Sequence, residues 1–370
     1  MKYYIIAGEA SGDLHGANLI KAIKQLDAEA EFRVWSGDLM EAEKAVTNIN
    51  HIKERAFMGF VEVLKNIFTI KKFIRFAKQD IVEYKPDRLI FIDYPGFNLR
   101  IAAWAHENGF KTHYYISPKV WAWNTKRALK IKRIIDYMYV IFPFEVNFYK
   151  NYNYQVHYVG NPLSDAIEQF VPNQTFKSEN KLNEKPIIAL LPGSRKQEID
   201  NILPVMLQGI ESFKSDYQIV LAVAPNFDTR YFEQFEKMKG VSMVIGNTYN
   251  LLSVSTAALV TSGTATLETA LLNIPQVVCY KTSALNYSLA KRLIKIPFIS
   301  LVNLIADKEI VKELIQNEFN QTRIQLELKL ILDEPGRSEM LKNYKELRTI
   351  VGPAGASKRT AELIINPQNL

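Results

Sequence analysis

"YYIIAGEASGDLHGANLI", residues 3–20, starts as an apolar run, turns through glycines at 8, 12 and 16, and continues as a helix. A strand, a Gly-rich turn and a helix make the opening unit of a doubly wound α/β domain, and such turns often seat phosphate. This one departs from G-x-G-x-x-G, and no Lys follows as in a P-loop. It carries Glu9 and Asp13 where a phosphate would meet negative charge. The stretch therefore reads as an acceptor loop (Gly8, Ser11, Gly12 and Asp13, with Glu9 as its acid) that offers hydrogen-bond acceptors to sugar hydroxyls. The plainer alternative is that Ser11 or Asp13 caps the following helix.

Outward from this unit the pattern repeats. Apolar strands are expected at 32–37, 88–93, 112–117 and 138–144, with helices between them such as 14–26 and 98–108. A second series follows at 187–194, 218–224, 242–246, 257–263 and 276–281. Alternation of strand and helix predicts parallel sheets covered on both faces. The polar stretch "EQFVPNQTFKSENKLNEKP" (168–186) reads as a linker. The expected architecture is two doubly wound, Rossmann-like α/β domains facing across a cleft, 1–170 and 171–340, with two helices over 341–370 that pack back on the first domain.

With 370 residues, 48% apolar and 23% charged, the chain suits two globular domains. Lys and Arg exceed Asp and Glu by seven (46 against 39), which favours an anionic partner. The one cysteine, Cys279, lies in an apolar strand and excludes an internal disulfide framework. The start is too short in apolar residues for a signal peptide, and no run is long enough to span a bilayer. A cytoplasmic protein that touches a membrane from that side is the expectation.

Phosphate has better seats in the second half. "LLPGSRKQEI" (190–199) puts Gly193, Ser194 and Arg195 at a strand-to-helix junction, and the guanidinium is a fixed positive fork. "TSGTATLETA" (261–270) puts Ser262, Gly263 and Thr264 at a second helix start, where free N–H groups favour an anion. Glu268, one turn on, would accept from ribose hydroxyls. In the first half, Asp93 ends the strand "RLIFID" before "YPGFN", so it and Glu9 both sit at strand ends as candidate bases. There is no D-x-D, no Cys pair and no ligand spacing among the histidines, so neither a metal nor a cofactor is expected.

These motifs together resemble a known family. "GEASGDLHGA", "MGFVEVL", "IDYPGFN", "YYISPKVWAWN", "FPFE", "YVGNPL", "LPGSRKQEI", "SGTATLE" and "SLVNLIA" occur in the order seen in lipid-A-disaccharide synthases, inverting glycosyltransferases of the GT-B type. The resemblance implies transfer from UDP-2,3-diacylglucosamine to 2,3-diacylglucosamine 1-phosphate, giving a β-1,6-linked disaccharide 1-phosphate and UDP. It implies Asp93 and Glu9 as catalytic, and places Arg195, Glu268 and Asn303 at the nucleotide. Two positions depart from the family pattern: Gly96 stands where an acid is usual, and Asn161 where a His is usual.

Acylated substrates imply a membrane surface. Residues 57–78 mix large apolar side chains with cations, and Phe60, Val63, Lys65, Ile67, Phe68, Lys72 and Arg75 are the expected contacts with the inner membrane's cytoplasmic face. "VWAW" (120–123) before "KRALKIKR" is a second aromatic and basic patch. Neither matches a nucleic-acid motif, so no nucleic acid is expected, and a homodimer is a further expectation. The rival readings are a UDP-sugar epimerase on the same fold and a peripheral membrane protein that binds nucleotide without chemistry.

Overall fold

Strands buried on both faces need cover on both faces, and the computed structural model contains two sheets of this kind. It describes residues 1–51, 67–235, 238–283, 287–288 and 296–367. By its contacts the chain divides into two units, 1–165 with 354–370, and 166–353.

The first unit holds seven parallel strands in the order β3-β2-β1-β4-β5-β6-β7. They are β1 (Lys2–Ala7), β2 (Glu31–Ser36), β3 (Val46–His51), β4 (Arg88–Ile92), β5 (Thr112–Tyr115), β6 (Tyr137–Val140) and β7 (His157–Tyr158). Alternate residues feed two cores. Tyr4, Ile6, Phe91 and Tyr114 lie on one face with Trp35. Tyr3, Ile5, Ala7, Ile90, Ile92 and Tyr115 lie on the other. The order reverses between β1 and β4, which pair in register with Ala7 opposite Ile92.

The second unit has six parallel strands in the order β10-β9-β8-β11-β12-β13. They are β8 (Ile187–Leu191), β9 (Gln218–Val223), β10 (Val241–Ile245), β11 (Ser255–Thr261), β12 (Gln276–Tyr280) and β13 (Glu313–Ile315). Here the reversal falls between β8 and β11, with Leu191 opposite Val260. Cys279 is fully buried in β12.

The helices that matter below are α1 (Ala10–Leu26), α2 (Asp38–Glu41), α3 (Ile67–Tyr84), α4 (Pro95–Glu107), α5 (Val120–Trp123), α6 (Arg127–Ile134) and α7 (Pro143–Lys150) in the first unit. In the second they are α8 (Lys196–Gly209), α9 (Thr264–Leu271), α10 (Leu301–Ala306) and α11 (Gly336–Val351). A last helix, α12 (Ala356–Ile365), returns to the first unit and packs Ala361 and Ile364 into the core under α1.

Several details differ from the sequence reading. The strand expected at 138–144 stops at Val140, because Pro143 opens α7. Short edge strands β3, β7 and β13 carry too little apolar pattern to be read in advance. The stretch 168–186 is not a loose linker, since Phe176 and Leu182 are buried in the second unit's core. The chain divides at 165/166 and 353/354, so residues 341–353 stay with the second unit and only the last helix returns. Asp165 marks both crossings: its carboxylate accepts from the backbone N–H groups of Gly355 (2.6 Å), Ala356 (3.0 Å) and Ser357 (3.2 Å).

Candidate functional site

Ligands of open parallel sheets bind beyond the strand C-termini where the strand order reverses. Each unit has one such point, and the sequence-predicted residues gather at both.

In the first unit, β1 leads into Glu9 and β4 into Asp93. Glu9 is exposed and stands at the N-cap of α1 without a side-chain capping bond, so its carboxylate is available. Asp93 is mostly buried, and burial followed by the charge of Glu9 pushes its carboxyl up to about 6, against a smaller pull from Lys119. Asp93 and Tyr94 both have left-handed backbone, φ 44° and 49°. That conformation is uncommon for an Asp and a genuine outlier for a bulky aromatic residue. It is held from beneath: the Asp93 carbonyl accepts from Asn98 Nδ2 (2.8 Å) and from the Tyr114 hydroxyl (2.5 Å). Sequence reading missed both supports. Asn98 could have been suspected as a polar residue one turn into the helix after a strand-end acid.

The glycine-rich loop answers differently from its sequence reading. Asp13 does not face a ligand. It is buried, with Oδ1 accepting from Gly37 N (2.8 Å) and Met40 N (3.1 Å) and Oδ2 from Leu39 N (2.9 Å). Nor does it cap its own helix; it caps α2. Gly8 and Gly16 serve close packing, since a side chain at Gly8 would run into the Tyr94 ring and one at Gly16 into Met40. Gly12 is buried against Ala7. Of the acceptor loop, Glu9 and Ser11 remain exposed.

Beside Asp93, the loop after β5 is built from two quoted motifs. Ile116 has φ 67°, a strained value for a β-branched residue. Ser117 Oγ lies 2.7 Å from the Tyr149 hydroxyl. Buried Glu145 accepts from Trp121 Nε1 (3.2 Å), Ile141 N (3.2 Å) and Phe142 N (3.0 Å). Desolvation outweighs the pull of these donors and leaves its carboxyl pushed up to about 7. Glu145 thus ties "FPFE" to "VWAW" and fixes the loop that carries Lys119.

Of the family departures, Asn161 is buried and turns the chain, Nδ2 donating to Ile141 O (3.3 Å) and Oδ1 accepting from Leu163 N (3.0 Å). Gly96 has open space where a side chain would go, so no steric reason excludes the usual acid.

In the second unit, β8 leads into Gly193, whose φ of 110° suits glycine. Arg195 is the N-cap of α8 and largely exposed. Glu198, missed in the sequence, faces the same turn: its Oε2 accepts from Ser194 N (3.3 Å) and its Oε1 from Arg195 Nη1 (3.1 Å). Across the reversal, Gly263 is the N-cap of α9 and Thr264 is exposed. Ser262 donates its hydroxyl to Ile299 O (2.8 Å). Glu268 Oε1 accepts from the Tyr249 hydroxyl (3.0 Å), and burial holds its carboxyl above the usual range. Tyr249 was not foreseen, because it comes from a different strand-to-helix turn.

Asn303 is placed elsewhere than the sequence reading put it. It is fully buried, Nδ2 donating to Val311 O (2.8 Å) and Glu313 Oε1 (2.9 Å), Oδ1 accepting from Ile310 N (2.8 Å) and Val311 N (3.0 Å). All four positions of the amide are used, which leaves none for a nucleotide. With Glu313, which also accepts from Ile299 N and Ser300 N (both 2.9 Å), it fixes α10 and the carbonyl that holds Ser262.

The expected membrane contacts Phe60, Val63 and Lys65 lie outside the described residues, as does the side chain of Ile67. On α3, Phe68 is 80% exposed, and Lys72 and Arg75 are exposed beside it. Among the described residues no helix is long and apolar enough to cross a membrane.

This geometry has known counterparts. At the level of fold, the chain superposes on UDP-GlcNAc 2-epimerase from Neisseria meningitidis (TM-score 0.65, 13% identity, 100% of each chain). It does likewise on the glycotransferase of kitacinnamycin (TM-score 0.68, 12% identity, 99% and 98%). Identity this low shows a shared GT-B type fold alone. Sequence relatives go further. Lipid-A-disaccharide synthase of Geobacter sulfurreducens is 36% identical over 98% of this chain and 96% of that protein. The Coxiella burnetii enzyme of the same name is 35% identical over 98% and 97%. Residues 3–363 match the family described as lipid-A-disaccharide synthetase, so both strand-order reversals and their carboxylates fall inside one homologous span, and the chain belongs to that family.

Proposed function

We infer that this chain makes the lipid A disaccharide by glycosyl transfer, taking its sugar from a UDP-linked donor. Membership of the family carries the reaction class. The epimerases share the fold at 12–15% identity, far below the relatives named for disaccharide synthesis, and are not favoured. The proposed donor is UDP-2,3-diacylglucosamine, and the proposed acceptor is 2,3-diacylglucosamine 1-phosphate.

The observation that supports a mechanism best is the buried Asp93 carboxyl. The acceptor's 6-hydroxyl attacks the anomeric carbon while Asp93 takes its proton. The bond to the diphosphate breaks on the opposite face, and UDP leaves with the electron pair. One displacement inverts the centre and needs no covalent intermediate. A carboxylate poised near 6 is a stronger base than an exposed Asp yet remains largely ionised at neutral pH, as a general base requires. Glu9 raises that basicity through its charge. In the second unit, Arg195 and the N–H groups near Ser194 and Thr264 would hold the departing diphosphate, with Glu268 and Tyr249 toward the ribose, while Ser262, whose hydroxyl is spent on Ile299 O, braces the turn. Asn303 and Asp13 keep these loops in place.

The exposed face of α3, with Phe68, Lys72 and Arg75, would rest on the cytoplasmic side of the inner membrane, where both acylated substrates lie. Incubation of the purified chain with radiolabelled donor and with acceptor tests the assignment. A joined disaccharide supports it, whereas an isomerised sugar or no turnover refutes it.

A further inference from the structure

Two acids at a strand-order reversal make a poor seat for an acceptor that itself carries a phosphate, unless cations stand nearby. The first unit provides them on the next strand over. β5 pairs with β4, Tyr115 opposite Ile92, so the loop after β5 leaves the sheet beside Asp93. Lys119 in that loop is exposed, and its charge already acts on the Asp93 carboxyl. Arg127, the first residue of α6, is half-exposed. Its guanidinium acts on the Tyr114 phenol, the group that donates to the Asp93 carbonyl. No carboxylate among the described residues pairs with either cation, although other cations of this unit are paired, such as Lys111 with Asp136. The loop is not a floppy surface segment. Ser117 is tied to Tyr149 and Trp121 to Glu145, and Asn124 O accepts from Arg127 N (3.0 Å) to start the next helix.

We propose that Lys119 and Arg127 form the subsite for the phosphate monoester of the acceptor, holding that end of the sugar so that its free hydroxyl reaches the Asp93 carboxylate. The assignment rests on the glycosyl-transfer reading and names the part of the acceptor that Glu9 and Asp93 cannot bind. Two cations without a carboxylate partner among the described residues, Lys119 acting on Asp93 and Arg127 on the Tyr114 that supports it, would sort the two ends of one small molecule: phosphate to the cations, hydroxyl to the acids. A guanidinium matches the phosphate oxygens in a fixed fork, and the ammonium adds a mobile point charge.

The test uses Lys119→Gln, Arg127→Gln and the double variant, with Lys119→Arg and Arg127→Lys as charge-keeping controls. Steady-state transfer is measured in detergent micelles with the acceptor and with its dephosphorylated counterpart. The double variant should raise KM for the phosphorylated acceptor by about tenfold or more, the loss expected for charge-assisted contacts, with kcat little changed. Transfer to the dephosphorylated acceptor and the KM for donor, measured at a pH well above 6 so that Asp93 stays ionised with or without the Lys119 charge, should stay within about twofold, and the charge-keeping variants should resemble the parent. Equal losses on both acceptors, or an unchanged KM for the phosphorylated one, would overturn the subsite. Flotation with phosphatidylcholine vesicles containing phosphatidylglycerol separates the other source of phosphate. Loss of vesicle binding in the double variant with an unchanged micellar KM would assign the cations to lipid headgroups and overturn the proposal. If the parent protein fails to make disaccharide, the assigned reaction falls. Saturation-transfer NMR with glucosamine 1-phosphate against glucosamine then still reads the subsite: a phosphate-dependent signal lost in the double variant supports it, and equal signals in both proteins overturn it.

Discussion

The two units present the same architecture with opposite chemistry at the point where the strand order reverses. In each, the sheet reverses its strand order between two adjacent parallel strands, β1 and β4 in one, β8 and β11 in the other. In each, those strands end level and hand over to loops that open helices. The first reversal offers carboxylates, Glu9 and Asp93, on a backbone with consecutive left-handed residues. The second offers Arg195 and the N–H groups at the starts of α8 and α9, where neither N-cap side chain makes a capping bond. The topology thus fixes where a ligand sits, and the side chains at the strand ends decide what kind. An acidic reversal suits hydroxyl chemistry, and a cationic, donor-rich one suits a diphosphate.

The largest expected effect breaks the acidic side alone. Asp93→Asn keeps the shape and removes the base, so transfer should fall by about 10²-fold or more while UDP affinity stays near the parent value. In the parent, kcat/KM should fall on the acid side as pH drops through about 6, where Asp93 becomes protonated. The same shift has a stability consequence of opposite sense. A carboxyl whose folded pKa lies above its unfolded value contributes stability that is complete at low pH and lost as pH rises through about 6. At pH 7–8 the ionised Asp93 is therefore a cost, and Asp93→Asn should melt higher, by an equivalent of about 1–3 kcal/mol. A variant that transfers normally, or one that melts lower and loses UDP binding too, would show that the acid supports the fold and not the reaction.

Next in size is the cationic side. Arg195→Ala should weaken UDP by about 1.5–3 kcal/mol, as for a lost hydrogen bond to a charged group. Calorimetry should find the same loss for free diphosphate, because the proposed partner of Arg195 is the diphosphate. Glu268→Ala should cost less, about 1 kcal/mol, and only for UDP. Tyr249→Phe should mimic part of it, since the phenol holds Oε1 of Glu268. Equal losses of UDP and diphosphate in Glu268→Ala would move that residue from the ribose to the phosphates.

How much of this was written plainly in the sequence differs between the two sides. Strand and helix alternation, the two-unit organisation and the strand-end positions of Glu9, Asp93, Arg195 and Glu268 follow from local patterns. Charge counts at a loop do not reveal which way a carboxylate points. Asp13 looks like Glu9 in sequence, yet it lies one turn into α1, where the side chain faces α2 and meets three backbone N–H groups. Asn303 has the motif of a ligand residue and the surroundings of a buried brace. The supports Asn98, Tyr114 and Tyr249 act across elements 5 to 21 residues away, and no local spacing encodes them. The packing role of the glycines is hidden for the same reason: Gly8 and Gly16 make room for Tyr94 and Met40, residues that only the fold brings near.

The smallest expected effect sharpens the comparison most, because it concerns the acid that pairs with Arg195 on the cationic side. Glu198 Oε2 accepts from Ser194 N and its Oε1 from Arg195 Nη1, so the carboxylate sits on the donors that a diphosphate would use. Gly193 leaves room for it, since a side chain there would collide with Oε2. Diphosphate binding must then displace a resident anion, and the pair is exposed enough that its own worth is small, about 0.5–1 kcal/mol. Glu198→Gln removes the competing charge and keeps the length of the side chain. UDP should bind about twofold to fivefold more tightly. The gain should shrink at high salt, where screening weakens the resident pair in the parent. A different role is also testable in the same titration. If Glu198 serves mainly to aim the Arg195 fork, Glu198→Gln will loosen UDP, and the Arg195→Ala, Glu198→Gln double variant will bind like Arg195→Ala alone. If instead it competes only at the Ser194 amide, tightening will persist in the Arg195→Ala background. Calorimetry on the four proteins at low and high salt therefore decides whether the acid beside Arg195 opposes the diphosphate or prepares its seat.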